Sequence, residues 1–343
     1  MKHLFEELRQ VMERGEAAVL VTIIASSGST PRGAGSRMLV KEDGTIRGTI
    51  GGGAVEYRAI QIAREGIRKR SSYVKGFTLS KNEVSDIGMI CGGDVTVYFQ
   101  YICPRNEAFH DLCNRVIAAF GRDEDSWLLL DITEETCWQM DLYNRTLDGG
   151  QRLSGCLEEL QRQQGNIFES RARQYQSGKR RYYIEPLVRA GTVYVFGGGH
   201  VARELVPVLA RVGFRCVVMD DRKEFANDER FPDAERNIVG NFERIADYLT
   251  VKAEDYVCVM TRGHEFDYLI QRQMLASRPR YIGVIGSKNK IAAVTKRLME
   301  DGFSREEAES CHMPIGMKIH AETPAEIAIS IAGELIAVRT GRK

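Results

Sequence analysis

The chain has 343 residues, more than one ordinary core organises, so two domains are expected. Hydrophobic residues at 43% and charged residues at 28% are the makeup of a soluble globular protein, and a formal net charge of +1 gives no general pull toward nucleic acid or an acidic membrane surface. No apolar run approaches the ~18 residues of a membrane span, and the start, Met1 to Leu8, reads as an amphipathic helix without a signal-peptide core.

A first helix to about Gly15 leads into a strand over 17–24 with β-branched residues at its end. Ser26 to Ser36 is rich in Gly, Ser and Pro and is expected to be loop. Arg37–Val40 and Ile46–Ile50 flank Glu42-Asp43-Gly44, a hairpin signal, and the second arm runs into Gly51-Gly52-Gly53. A helix follows with Val55, Ala59, Ile62, Ala63 and Ile67 on one face, then a strand over 74–79. Ile90-Cys91-Gly92-Gly93 is a glycine turn entering an alternating strand to Phe99. Helix is expected over 112–120 and strands over 127–130 and 138–142. The polar stretch 157–179 has no clear period and is the expected hinge, partly helical, between domains 1–187 and 188–343.

The second domain opens with Val193-Tyr194-Val195-Phe196, then Gly197-Gly198-Gly199-His200-Val201-Ala202, then a helical apolar stripe through Val212. A second apolar run, Cys216–Met219, ends in Asp220-Asp221-Arg222. Strand, G-x-G-x-x-A, helix, strand, acid is the dinucleotide-binding pattern in its confirming context. Gly197 permits the tight turn, Gly199 lets backbone approach a pyrophosphate at the helix start, with His200 and Val201 beside it, and Ala202 keeps helix and strand close. Asp220 or Asp221 stands where a ribose hydroxyl needs an acceptor; Arg222 leaves a 2′-phosphate open, so NAD and NADP both remain. The competing reading is a glycine turn that only joins strand to helix. Further strands at 237–239, 256–260 and 281–285, with helices between them, extend a parallel sheet. A final helix starts at Thr323-Pro324 with Glu326 completing a capping box.

In the first domain, Gly51, Gly52 and Gly53 lie between strand and helix, where free backbone N–H groups form an anion cradle. Arg32 and Arg37 add charge-assisted donors for a phosphate. The competing reading is a turn kept for packing. Of the eight cysteines, no two form a Cys-x-x-Cys pair or sit at zinc spacing, which suits a reducing cytoplasm. Cys91 precedes glycines, so it is either an accessible nucleophile and soft ligand or a buried strand-entry cysteine. His264 follows the strand at 256–260, at the carboxyl end of the sheet, and is either an acid–base group or a solvated helix-start histidine.

Gly28-Ser29-Thr30-Pro31-Arg32, Gly48 to Glu56 and Cys91-Gly92-Gly93 resemble the amino-terminal signature of the xanthine dehydrogenase accessory factor family (XdhC/CoxI). Gly197 to Ala202 with Asp220-Asp221-Arg222, Met260 to Asp267 (Thr261 included) and Ile282 to Lys288 resemble that family's Rossmann domain. Relatives tend to have a histidine and an acid where this chain has Arg262-Gly263 before His264. The resemblance implies an α/β chain: an N-terminal α+β domain followed by a Rossmann-like, doubly wound parallel sheet. It implies a cytoplasmic accessory protein that binds molybdenum cofactor (molybdopterin), protects it during sulfuration by a cysteine desulfurase-type donor, and delivers it to an apo molybdenum hydroxylase of xanthine dehydrogenase type. On that resemblance Cys91 is the metal or sulfur-handling residue, Gly51, Gly52 and Gly53 contact the pterin phosphate, and the protein is a homodimer. The alternative is an NAD(P)-dependent oxidoreductase using Cys91 or His264.

Overall fold

The computed structural model describes residues 1–28, 32–78, 93–144, 154–169, 171–286 and 288–341. The chain divides into two compact units, Met1–Arg189 and Ala190–Lys343.

The N-terminal unit runs α1 (Lys2–Glu13), β1 (Ala18–Gly28), β2 (Arg37–Lys41), β3 (Ile46–Gly48), α2 (Gly53–Lys69), β4 (Tyr73–Thr78), β5 (Gly93–Ile102), α3 (Glu107–Ala119), β6 (Ser126–Asp131), β7 (Gln139–Asn144), α4 (Ser154–Gln164), β8 (Arg173–Ser177) and β9 (Arg180–Val188). Its strands form two antiparallel sheets, ordered β3-β2-β1-β5-β4 and β7-β6-β9-β8. Period-two alternation sorts the side chains. On β1, Leu20 and Ile24 join Leu39 and the α1 residues Phe5 and Leu8 in one core, while Val19, Val21 and Ile23 join Met38, Val40 and the α2 residues Ala59 and Ala63 in another. On β6, Leu128 and Leu130 point into the α1–α3 core and Trp127 and Leu129 toward Leu157 and Leu160 of α4. Tyr98 of β5 stacks on Trp138 with ring centroids 3.4 Å apart.

The C-terminal unit runs β10 (Thr192–Phe196), α5 (His200–Arg211), β11 (Arg215–Asp220), β12 (Arg236–Val239), β13 (Tyr256–Val259), α6 (His264–Ser277), β14 (Tyr281–Val284), α7 (Lys288–Glu300), α8 (Arg305–Glu309) and α9 (Pro324–Arg339). Its strands form one parallel sheet ordered β12-β11-β10-β13-β14. Leu205 and Leu209 of α5 and Ile331 and Leu335 of α9 cover one face; Ile270 and Met274 of α6 and Leu298 of α7 cover the other. With both faces covered, β13 and β14 are buried throughout, as parallel strands are. Thr323 and Glu326 form the expected capping box of α9.

Three expectations need correction. Strand β1 continues to Gly28, because Ser26 and Ser27 pair with Val95 and Asp94 of β5. The stretch 157–179 is no hinge: it contributes to α4 and supplies β8, which pairs with β9. Its polar composition fits a sheet edge, where exposed side chains discourage further strand pairing. Between β12 and β13, the expected helix is only the short 3-10 segment Phe242–Asp247.

Candidate functional site

Strand order places β10 centrally, and the glycine turn follows it at the point where the sheet's order reverses. Gly197 has φ +103, and a Cβ there would lie 2.5 Å from the Met260 carbonyl oxygen. Gly198 is closed in: a side chain would overlap the carbonyl of Phe225, and Arg230 Nε donates to the Gly198 carbonyl at 2.9 Å. Gly199 is open, with nothing within 4 Å of the position a Cβ would take. It is also the N-cap of α5 and brings no side chain to the helix's first amides, so an oxyanion can approach there. His200 is exposed and Val201 half-buried in that first turn.

Asp220 and Asp221 share the Arg222 guanidinium and differ in their other partners. Asp220 is buried; its Oδ2 accepts from Gly198 N at 2.9 Å and its Oδ1 from Arg222 N at 3.1 Å and Arg222 Nε at 3.0 Å. Burial raises its pKa, but the Arg222 guanidinium and the Gly198 amide outweigh that and hold the carboxyl below its ordinary value. This acid therefore fixes the turn from within. Asp221, on the half-exposed side, accepts from Arg262 Nη2 at 2.8 Å. Arg222 itself lies over the Phe225 ring, 3.6 Å from its centre.

Thr261 is buried, its hydroxyl donating to Asp267 Oδ1 at 2.5 Å, so it anchors the start of α6. His264 begins α6 and is exposed. With Arg262, Tyr268, Val294 and Arg297 it borders a cavity of about 570 Å³. Arg297 is ion-paired with Glu265 and lies over the Tyr268 ring.

In the N-terminal unit the glycine turn does hold an anion, and the anion is the protein's own. Glu56 Oε2 accepts from the Thr49 hydroxyl at 2.5 Å, Ile50 N at 3.0 Å and Gly52 N at 3.1 Å; Gly51 N donates to Thr49 Oγ1 at 3.0 Å. Burial raises the Glu56 pKa, but these donors outweigh it and leave the carboxyl below its ordinary value. The expectation of free amides at Gly51 and Gly52 is thus corrected: an acid in the first turn of α2 reaches back to them. That acid was visible in the sequence as a helix-start carboxylate.

Arg37 is separated from this turn by strand alternation. Met38 and Val40 of β2 face α2, whereas Leu39 faces α1 and the Arg37 side chain contacts Met1 and Glu185. Arg37 and Glu185 form a buried ion pair, with side-chain exposures of 1% and 4%, to which the Tyr183 hydroxyl adds a 2.8 Å bond. Arg32 is exposed ahead of β2. Cys91 lies outside the described residues.

One cluster escaped sequence reasoning. Glu334 of α9 accepts from the Tyr281 hydroxyl at 2.5 Å and Gly316 N at 2.8 Å, and meets His312 Nδ1 at 2.9 Å. His312 pairs alongside Gly283 of β14, so sheet pairing brings together residues far apart in the chain. Among the described residues no group of three or more His, Cys, Asp or Glu side chains is placed to hold a metal, and no helix is long and apolar enough to cross a membrane.

The C-terminal unit is thereby a Rossmann-type fold carrying an open helix start at its order reversal. A family model described as the XdhC Rossmann domain matches residues 193–335, and one described as the XdhC and CoxI family matches residues 11–76. The chain belongs to the XdhC and CoxI family. It is 27% identical over 351 residues to a Bacillus subtilis protein named as a probable xanthine dehydrogenase subunit, covering 97% of this chain and 96% of that one. It is 22% identical over 337 residues to the molybdenum cofactor insertion chaperone PaoD of Escherichia coli, covering 96% and 86%. It is 23% identical over 341 residues to the uncharacterized E. coli protein YqeB, covering 98% of this chain but spanning only 46% of that protein. A crystal structure described as a xanthine dehydrogenase from Bacillus halodurans shares the fold, with a TM-score of 0.75, 24% identity and coverage of 99% and 96%.

Proposed function

We propose that this chain is an accessory protein that binds molybdenum cofactor, protects it during sulfuration and delivers it to a molybdenum hydroxylase of xanthine dehydrogenase type. The observation carrying this reading is the near full-length likeness to a relative named as a molybdenum cofactor insertion chaperone, across both units. The physical fit is uneven between the units. In the C-terminal unit, Gly199 and the first turn of α5 suit the diphosphate of NAD(P) or a related dinucleotide, with Arg222 and Arg262 flanking. In the N-terminal unit, the donors of Ile50 and Gly52 suit an oxyanion but already hold Glu56, so a pterin phosphate takes that place only by displacing the carboxylate. A bound molybdenum cofactor would supply a soft metal–dithiolene centre, for which a Cys91 thiolate is a matching partner. The reading extends to a cytoplasmic homodimer served by a cysteine desulfurase-type sulfur donor.

The cavity beside His264 supports a second reading, an NAD(P)-dependent oxidoreductase whose small substrate lies near the carboxyl end of the sheet. One experiment separates the two. Protein purified from cells making molybdenum cofactor is denatured, and the released material is assayed for a fluorescent pterin oxidation product and for nicotinamide. Pterin that falls in Cys91→Ala supports the carrier. Substrate-dependent hydride transfer without pterin supports the oxidoreductase. Gly199→Val is expected to block dinucleotide binding in either case.

A further inference from the structure

The register levels Phe196 of β10 with Met219 of β11 on one side and with Val259 of β13 on the other. The turn leaving β10 is therefore flanked by Asp220-Asp221 and by Met260 to Arg262. Neighbouring strands lie about 4.8 Å apart, so β11 and β13 are separated by about 10 Å with β10 between them. The Asp221–Arg262 ion pair, at 2.8 Å, closes that gap across the front of the glycine turn. A dinucleotide lying over the order reversal crosses the same line.

We propose that the Asp221–Arg262 pair is a latch over a diphosphate site, and that a ligand diphosphate opens it by taking Arg262 from Asp221. The proposal rests on the dinucleotide reading of this unit and adds a regulating contact to it. Three observations favour an exchange over a fixed strut. The partners are 49% and 26% exposed, so each moves without opening the core. Asp221 is not stranded when Arg262 leaves, because Arg222 Nε already lies 3.5 Å from its Oδ1. Arg262 has room to move, since it borders the cavity beside His264. Its forked guanidinium makes paired bonds to phosphate oxygens as readily as to a carboxylate.

The test is calorimetric titration of the full chain with ADP and with adenosine, using D221N, R262Q, R262K and the D221N/R262Q double variant. D221N is expected to tighten ADP binding up to about fivefold, the scale of an exposed ion pair, and to leave adenosine unaffected. R262Q is expected to weaken ADP binding about tenfold, as losing one phosphate contact does, with R262K recovering part of the loss. In the R262Q background the D221N gain is expected to disappear. An equal gain in that background means plain charge repulsion and overturns the latch. Weaker ADP binding in D221N makes Asp221 a ribose ligand and overturns it also. ADP binding indifferent to every substitution removes the latch and leaves the dinucleotide reading standing; ADP binding by none of the proteins, wild type included, removes both.

Discussion

Replacing Glu56 by alanine tests how the first glycine turn is held. One carboxylate oxygen accepts three donors, from Thr49, Ile50 and Gly52. A hydrogen bond to a charged acceptor contributes about 1.5–3 kcal/mol when buried and nearer 1 kcal/mol at a helix start. Three bonds sharing one half-exposed oxygen do not add, so the loss is about 2–3 kcal/mol after allowing for solvent screening. In a unit of this size that lowers the melting temperature by about 5–10 °C. The folded-state pKa of Glu56 lies below its ordinary 4.5, so its stabilisation is complete above that value and is lost as pH falls through the folded pKa. Scanning calorimetry of wild type and Glu56→Ala, from neutral pH down past 4.5, should show the two melting temperatures converging in acid. Hydrogen exchange should show faster opening confined to residues 46–70. Inorganic phosphate should raise the variant's melting temperature more than that of the wild type, because the emptied amides accept another oxyanion. A difference that persists undiminished in acid, or no difference at neutral pH, refutes the reasoning.

Gly198→Ala should destabilise the C-terminal unit by about 3 kcal/mol, since the added methyl overlaps the Phe225 carbonyl; an unchanged melting temperature contradicts that packing. Arg37→Ala should reduce stability by about 3–5 kcal/mol in urea titration, because the buried Glu185 carboxylate keeps only the Tyr183 hydroxyl and loses its cation. Alkylation of the native protein at mildly alkaline pH should modify Cys103 and Cys137 and spare Cys113, Cys216, Cys258 and Cys311, as read by peptide mass spectrometry. Burial pushes the Cys113, Cys216 and Cys311 thiols up to about 12 and raises Cys258 as well.

The Rossmann-type unit was legible because its signals are local. A four-to-six-residue apolar run, a glycine turn and a helical stripe follow each other within one stretch of chain. The four-stranded sheet was harder: β8, Arg173 to Ser177, is an exposed edge whose composition resembles a linker, and only its pairing with β9 identifies it. The site divides in the same way. The acids at the end of β11 and the adjoining Arg222 are visible in sequence, but their long-range partners are not: Gly198 reaches Asp220 and Arg262 reaches Asp221 only through folding. Arg37 was within reach of sequence reasoning, since strand alternation sends it away from Met38 and Val40 and so away from α2. The Phe225 carbonyl over Gly198 was not, because no periodicity encodes a loop folding back onto a turn.

The chain's two tryptophans are Trp127, in the core beneath α4, and Trp138, stacked on Tyr98; both belong to the N-terminal unit. Indole emission excited selectively is therefore a private optical channel of that half, while the other half carries only tyrosine and phenylalanine. A chromophoric cofactor that settles near the first half has built-in donors for energy transfer, and denaturation of the second half alone passes unseen in the same spectrum.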